Sequence, residues 1–437
     1  MTVNSRSAEY CCPGESQPIS HSVHLGRLAN FYEGCLHCPH RHETGDTTSR
    51  QRKQVDQWTA RRRDLLTFER QVIRGGYPDH LGPAQARSLA TALAAELRQR
   101  KEPDPKNPVV LLASDGSALA AEIHAVVCEG LRFAGCDVVD IGFTTAPVLS
   151  AALADRSSNE SRITGGLLVG SHANPTPQIA LRIFGRQGQP WSVGQPSAGQ
   201  SLDAIRGRHE AGVSRGVRAA GTLCREQVTG AYLERMSNFF HALRPLQFVL
   251  LTPNRYLRDY LEMLTAAVSC QNLTATADSS ETDRLSPVTL GTAAGKVLTQ
   301  AVVDRRADFG IWIDAVGERA HVVDEQGEPV SPHRLLAAIN AKSGTECLAS
   351  VASHGADAPA EKMTAEQFFE SFAARIAAAD DIAVAIGPED ALWFKSPLPI
   401  VDGLQLLAHL LQLLSRSDRT LSEVVAASDM TIAGATE

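Results

Sequence analysis

The sequence predicts an α/β fold of three successive units with mixed, mostly parallel sheets. Two observations carry that reading. Short apolar runs alternate with stretches whose apolar residues recur at helical spacing, and the helix-length crossovers between them suit parallel pairing. Several runs also end in a polar segment carrying Gly, Asp or Pro, where parallel sheets place their functional loops.

In the first unit, Pro83 to Leu97 repeats Ala86, Leu89, Ala90, Leu93 and Leu97 at helical spacing. Pro105 and Pro108 punctuate, Val109–Ala113 reads as a buried strand, and Ala118–Ala134 as a helix stopped by Gly135. Val138–Ile141, closed by Gly142, is the next strand; Pro147–Ala154 is a helix and Gly166–Val169 a strand. The second unit starts near Tyr232, with strands at Phe248–Leu251 and Phe309–Ile313 and helices at Tyr256–Val268 and Leu298–Arg306. The third follows Val330, with helices at Arg334–Ile339, Ala365–Ala378 and Gly403–Leu414 and a strand at Ile382–Ile386. Gly291 to Lys296 vaguely suggests a phosphate loop, but it is one residue short between its glycines and Val297 stands where Ser or Thr is needed, so it reads as a helix start.

The 437 residues suffice for two to four domains, and 43% apolar with 21% charged residues is ordinary for a globular chain. A net charge of −7 argues against bulk attraction to nucleic acid or anionic lipid. No apolar run has the length of a membrane span, and Met1 to Ser20 has no apolar signal core, so a cytoplasmic protein is expected. Four of the nine cysteines crowd the first forty residues. Cys35-Leu36-His37-Cys38 forms a knuckle with His40 and His42 beyond it and Cys11 and Cys12 upstream. Thiolate and imidazole ligands suit tetrahedral zinc, so residues 1–50 are expected to be a zinc module with Cys11, Cys12, Cys35, Cys38 and His40 as ligands, and with a surface for a protein partner. The other cysteines read as small buried hydrophobes, and the basic run 51–63 as part of a linker to residue 65.

Three loops follow apolar strands: Gly170 to Pro175, Asp314 to Arg319, and Gly387 to Asp390. Each alone reads as turn formers; together they are expected to wall one cleft. These segments carry a resemblance to the alpha-D-phosphohexomutase superfamily (phosphoglucomutase and phosphomannomutase). Gly165 to His172 is similar to that family's serine loop, with Ala173 inserted before Asn174-Pro175. Leu181-Arg182-Ile183-Phe184-Gly185 resembles the Ile-Lys-Ile-Phe-Gly stretch, and Ile73-Arg74-Gly75 with Tyr77-Pro78 the N-terminal motif. Gly135 to Gly142, Ala307 to Asp314 and Val322 to Glu328 follow in the family's order.

The resemblance implies domain I over 66–215, domain II over 225–325 and domain III over 326–427. The fourth domain is expected to be absent, because ten residues follow Ala427 and no Arg-x-Ser-Gly-Thr stretch occurs. It implies Ser171 as phosphoacceptor with His172 and Arg182 beside it, a magnesium ion on Ser171, Asp314 and Glu318, and a hexose phosphate contacted by Arg74, Glu389 and Asp390. Several positions depart from the pattern. Val316 replaces a carboxylate in the metal loop, Ala113 to Ser117 lacks both arginines of Gly-Arg-Asp-x-Arg, and Arg182 replaces a lysine. An arginine stabilises charge but is a poor base. The implied function is mutase chemistry through a phosphoserine or, alternatively, an impaired or inactive relative that binds a sugar phosphate or a partner.

Overall fold

The computed structural model describes residues 66–98, 107–157, 162–173, 177–194, 201–212, 219–273, 293–343, 384–387, 390–396 and 398–434, with Phe369, Phe372 and Ala373. In the N-terminal region it describes residues 9–11, 17–29 and 48–50, with Tyr32, Cys35, Cys38, His40, Glu43 and Lys53. The chain divides into two compact units, Met1–Leu65 and Leu66–Glu437.

In the smaller unit, β1 (Glu9–Tyr10) pairs antiparallel with β2 (Ile19–Ser20), and α1 (His21–Ala29) buries His24 and Leu28. The Tyr10 ring stacks on His24 at 4.2 Å. Of the residues expected to hold zinc, Cys35 and Cys38 are buried, Cys11 is exposed and Cys12 lies outside the described residues. His40 Nδ1 lies 2.7 Å from Glu43 Oε1. Among the described residues, no group of three or more His, Cys, Asp and Glu is gathered to hold a metal ion.

Among the described residues, the larger unit is built on three sheets. The first orders its strands β3 (Thr67–Glu69), β4 (Val72–Gly76), β8 (Pro177–Gly185), β7 (Ile163–Ala173), β5 (Val109–Ser114), β6 (Asp137–Phe143) and β9 (Leu223–Arg225). Pairing is parallel from β7 through β5 and β6 to β9 and antiparallel from β7 through β8 and β4 to β3. β5 is buried throughout because helices cover both faces. Val110 and Leu112 face a core shared with α2 (Pro83–Arg98) and α3 (Ala118–Phe133); Val109, Leu111 and Ala113 face α4 (Ala146–Ser157). α5 (Leu202–Glu210) returns to the first core through Leu202 and Ile205.

The second sheet orders β11 (Gln271–Asn272), β10 (Gln247–Leu251), β12 (Phe309–Ile313), β13 (Ala320–Asp324) and β14 (Pro329–Val330), parallel on the β10 side of β12 and antiparallel beyond it. α7 (Arg255–Thr265) covers one face, and α8 (Ala293–Arg305) packs Leu298 and Val302 against Trp312 on the other. The third sheet, β15 (Val384–Ile386), β16 (Leu392–Ser396) and β17 (Leu398–Val401), is antiparallel among the described residues. α6 (Thr229–Ser237), α9 (Pro332–Ser343), α10 (Gly403–Ser415) and α11 (Leu421–Gly434) pack into the same apolar cluster as this sheet. A single apolar cluster runs from Phe248 and Phe309 to Phe394 and Leu410, so the second and third sheets share one core.

The expected helices and strands recur with shifted ends. β7 runs four residues beyond Val169 because Gly170 to Ala173 continue the ladder with β8. Of the helix expected at Ala365–Ala378, Phe369, Phe372 and Ala373 are helical and the rest lies outside the described residues. No helix among the described residues is long and apolar enough to cross a membrane.

Candidate functional site

The carboxyl ends of β5, β7, β10 and β12 open onto one cavity of about 860 Å³. Asp115, Ser171, Asn254 and Asp314, each just beyond or at the end of its strand, all line it. Its charge is lopsided for an acidic chain. Arg70, Arg74, Arg182, Arg255, Arg258 and Arg319 face Glu69, Asp115 and Asp314. Arg74 projects from β4 and Arg182 from β8, whereas Arg255 and Arg258 stand one turn apart at the start of α7. Burial holds the Arg74 guanidinium below its ordinary pKa; Glu69 opposes this, and the nearby Arg182 and Arg319 reinforce it. Six arginines lining one cavity against three carboxylates create a field that favours an anion.

Ser171 sits near the end of β7 with its amide donating to Asp115 Oδ2 at 2.7 Å. The other oxygen of Asp115 accepts the Ser117 amide at 2.9 Å, and the Asp115 amide donates to Val169. One carboxylate thus ties the start of α3 to the serine strand. A side chain at Gly170 would reach Asp115 Oδ2 at 3.1 Å, so the glycine lets that carboxylate approach. His172 continues the strand, its side chain lying outside the described ones, as do Asn174 and Pro175.

The segment Asp314 to Arg319 is a closed loop. Asp314 Oδ1 accepts the Glu318 amide at 2.8 Å, and the Asp314 amide donates to the Arg319 carbonyl. Gly317, at φ +85°, packs against Thr145 in a conformation that suits only glycine without strain. The loop also joins its neighbours: Ala146 N donates to Val316 O and Gly403 N to Gly317 O. Burial, then the Glu318 charge, push the Asp314 carboxyl up to about 6, with Arg182 and Arg319 opposing. The Glu318 carboxylate pairs with Arg182, each side chain 14% exposed. Burial disfavours the Arg182 cation, but the charges of Glu318 and Asp314 outweigh it and raise its pKa. Glu318 lines a second, small cavity of about 40 Å³ with Arg182, Arg319 and Trp393.

These residues do not fit the magnesium seat expected on Ser171, Asp314 and Glu318. Magnesium wants near-octahedral oxygen ligands. Val316 supplies none and packs against the Val109–Leu111 core. Glu318 is held by Arg182, and one Asp314 oxygen is spent closing the loop.

The third expected loop contributes less. Glu389 lies outside the described residues. Asp390 is exposed, 3.7 Å from His333, and does not line the large cavity. Residues that sequence reasoning missed are Arg70, Asn254, Arg255, Arg258 and Arg319. The signal for three of them was a fourth strand-end loop, Thr252-Pro253-Asn254, followed by Arg255 and Arg258 at helical spacing.

A profile for the family described as phosphoglucomutase/phosphomannomutase, alpha/beta/alpha domain I, matches residues 66–196. The chain is 26% identical over 271 residues to a phosphoglucosamine mutase of Cutibacterium acnes, covering 61% of this chain and 57% of the relative. It is 26% identical over 276 residues to a phosphomannomutase/phosphoglucomutase of Pseudomonas aeruginosa, covering 62% and 54%. The match thus spans little more than half the length of these relatives. In fold it is similar to a phosphoglucomutase/phosphomannomutase family protein of Burkholderia thailandensis, with TM-score 0.61 and 22% identity over 83% of this chain and 78% of that one. A phosphoglucomutase of Paramecium, pp63/parafusin, aligns with TM-score 0.59 and 16% identity over 83% and 75%. Residues 66–196 match domain I of the phosphoglucomutase/phosphomannomutase family, and the likenesses beyond them support the alpha-D-phosphohexomutase superfamily for this chain.

Proposed function

We propose that the large cavity binds a hexose phosphate and that phosphoryl transfer there is impaired. The observation that carries this reading is the convergence of six arginines with Ser171 on one cavity, beside a metal loop whose Glu318 is engaged by Arg182. Phosphate esters pair with arginine through two parallel, charge-assisted hydrogen bonds. The relatives named as mutases of phosphorylated sugars support the ligand class. Phosphoryl transfer depends on neutralising charge at the migrating group and on positioning it. Here the seat that would place a magnesium ion does not fit one, and Arg182 cannot serve as a base where the family has lysine.

A second reading is a working phosphohexomutase with Ser171 as phosphoacceptor. It is favoured by the placement of Ser171 on the cavity wall with its amide fixed by Asp115 at 2.7 Å. A coupled mutase assay on wild type and Ser171→Ala, with intact-mass measurement after incubation with a hexose bisphosphate, separates the two. The first reading expects equal background rates and no added phosphate. Turnover that disappears in Ser171→Ala, with one phosphate gained by the wild type, establishes the second.

A further inference from the structure

We propose that Arg182 is a built-in counter-ion that takes the electrostatic place of a divalent cation, so that the cavity takes a phosphate monoester without metal. The ligand half of this inference rests on the hexose phosphate reading above.

Three observations converge. First, Arg182 on β8 reaches across to Glu318 after β12, both side chains being largely buried. A fixed positive charge therefore already faces the acidic loop, and Asp314 adds a second negative charge to the same group. A divalent ion entering here meets a resident cation at close range, in surroundings that screen poorly.

Second, the loop spends its oxygens on itself and its neighbours. The carbonyl of Asp314 accepts Gly317 N, that of Ala315 accepts Asn254 Nδ2 at 2.7 Å, and that of Val316 accepts Ala146 N. The carbonyl of Gly317 accepts Gly403 N, and that of Arg319 accepts Asp314 N. Those bonds tie the loop to the starts of α7, α4 and α10. Turning these carbonyls toward an ion would break the seam between the first sheet and the shared core of the other two.

Third, Val316 stands between the two surviving carboxylates and packs into the apolar cluster under β5. Loss of a carboxylate alone would leave a weak metal site. An apolar anchor in its place, with an arginine on the next ligand, makes a site organised around a guanidinium. Arg182 also lines the large cavity together with Arg74 and Arg319, so its charge serves the ligand side and the loop side together. The ligand class that follows is a phosphate monoester dianion held directly by arginines.

The test uses chelator-treated full-length protein and calorimetry. Magnesium chloride alone is titrated into wild type, Arg182→Gln and Arg182→Lys. The wild type should show no saturable uptake through the millimolar range. Arg182→Gln, with Glu318 and Asp314 released, should bind magnesium at least about tenfold tighter than wild type, and Arg182→Lys should behave as wild type. Saturable uptake by the wild type, or an Arg182→Gln no different from it, overturns the role of Arg182. Glucose 1-phosphate is then titrated into wild type in chelator and in magnesium at matched ionic strength. An unchanged Kd, within about twofold, supports the proposal, and a tightening of about tenfold or more by magnesium overturns it. The wild-type arms judge it even where Arg182→Gln fails to fold. No binding of the sugar phosphate in either medium defeats the phosphate reading, while the magnesium titration still judges Arg182.

Discussion

Removing both partners of the Arg182–Glu318 pair should cost well short of the sum of the two single losses. Each side chain is 14% exposed, and Asp314 lies in the same buried group. Arg182→Met keeps aliphatic bulk but strands the largely buried Glu318 and Asp314 carboxyls without their cation, a loss of about 3–5 kcal/mol. Glu318→Gln leaves Arg182 facing Asp314 and costs less, about 1–3 kcal/mol. In the double variant the stranded glutamate is gone, so its loss should fall well short of the sum, with a coupling of about 2 kcal/mol or more. Urea unfolding followed by circular dichroism, on the four members of the cycle, measures this directly. Single losses below about 0.5 kcal/mol that simply add would refute the claim that this pair is an internal, mutually dependent unit.

Asp402 gives a pH prediction. Its carboxylate caps α10 by accepting Leu404 and Gln405 amides, and Tyr232 Oη donates to it at 2.7 Å. Burial nonetheless pushes its pKa up from 3.8 to about 6. Because the folded value is the higher one, its stabilising contribution is complete below about pH 4 and is lost as pH rises through about 6. Asp402→Asn keeps the cap and does not titrate, so relative to wild type it should gain on the order of 2 kcal/mol across that window by urea midpoints; parallel curves would contradict this. Gly317→Ala places a Cβ 2.9 Å from Thr145 Cβ at φ +85° and should cost about 1–3 kcal/mol in thermal unfolding. Asp115→Ala removes the acceptor for the Ser171 and Ser117 amides, at 2.7 and 2.9 Å. It should cost about 1–3 kcal/mol and weaken glucose 1-phosphate binding in calorimetry; unchanged values for both would discount Asp115 as the anchor of the serine strand.

Much of the parallel core was readable because each strand is a short apolar run and each crossover helix repeats at its own period. The meeting of Ser171 and Asp314 followed from the rule that loops at the carboxyl ends of parallel strands share a cleft. The end of β7 was not readable. Gly170, Ser171 and His172 carry the residue types of a turn, and only their ladder with Ala180, Ile179 and Gln178 makes them strand. The antiparallel strands β3, β4, β13, β16 and β17 escaped notice because they are short and one partner of each pair lacks a helix-length crossover. The Arg182–Glu318 pair joins residues 136 positions apart, a contact no local pattern encodes. Arg255 and Arg258 look like the solvated side of an amphipathic helix until the cavity in front of α7 is known.

The most direct test of the cavity's role is calorimetry with glucose 1-phosphate on wild type and on Arg74→Ala/Arg258→Ala, two arginines that line the cavity from different elements, β4 and α7. The account predicts saturable one-site binding by the wild type and a loss of about 100-fold or more in the double variant. Equal affinity in the two proteins, or no binding by the wild type, would contradict it.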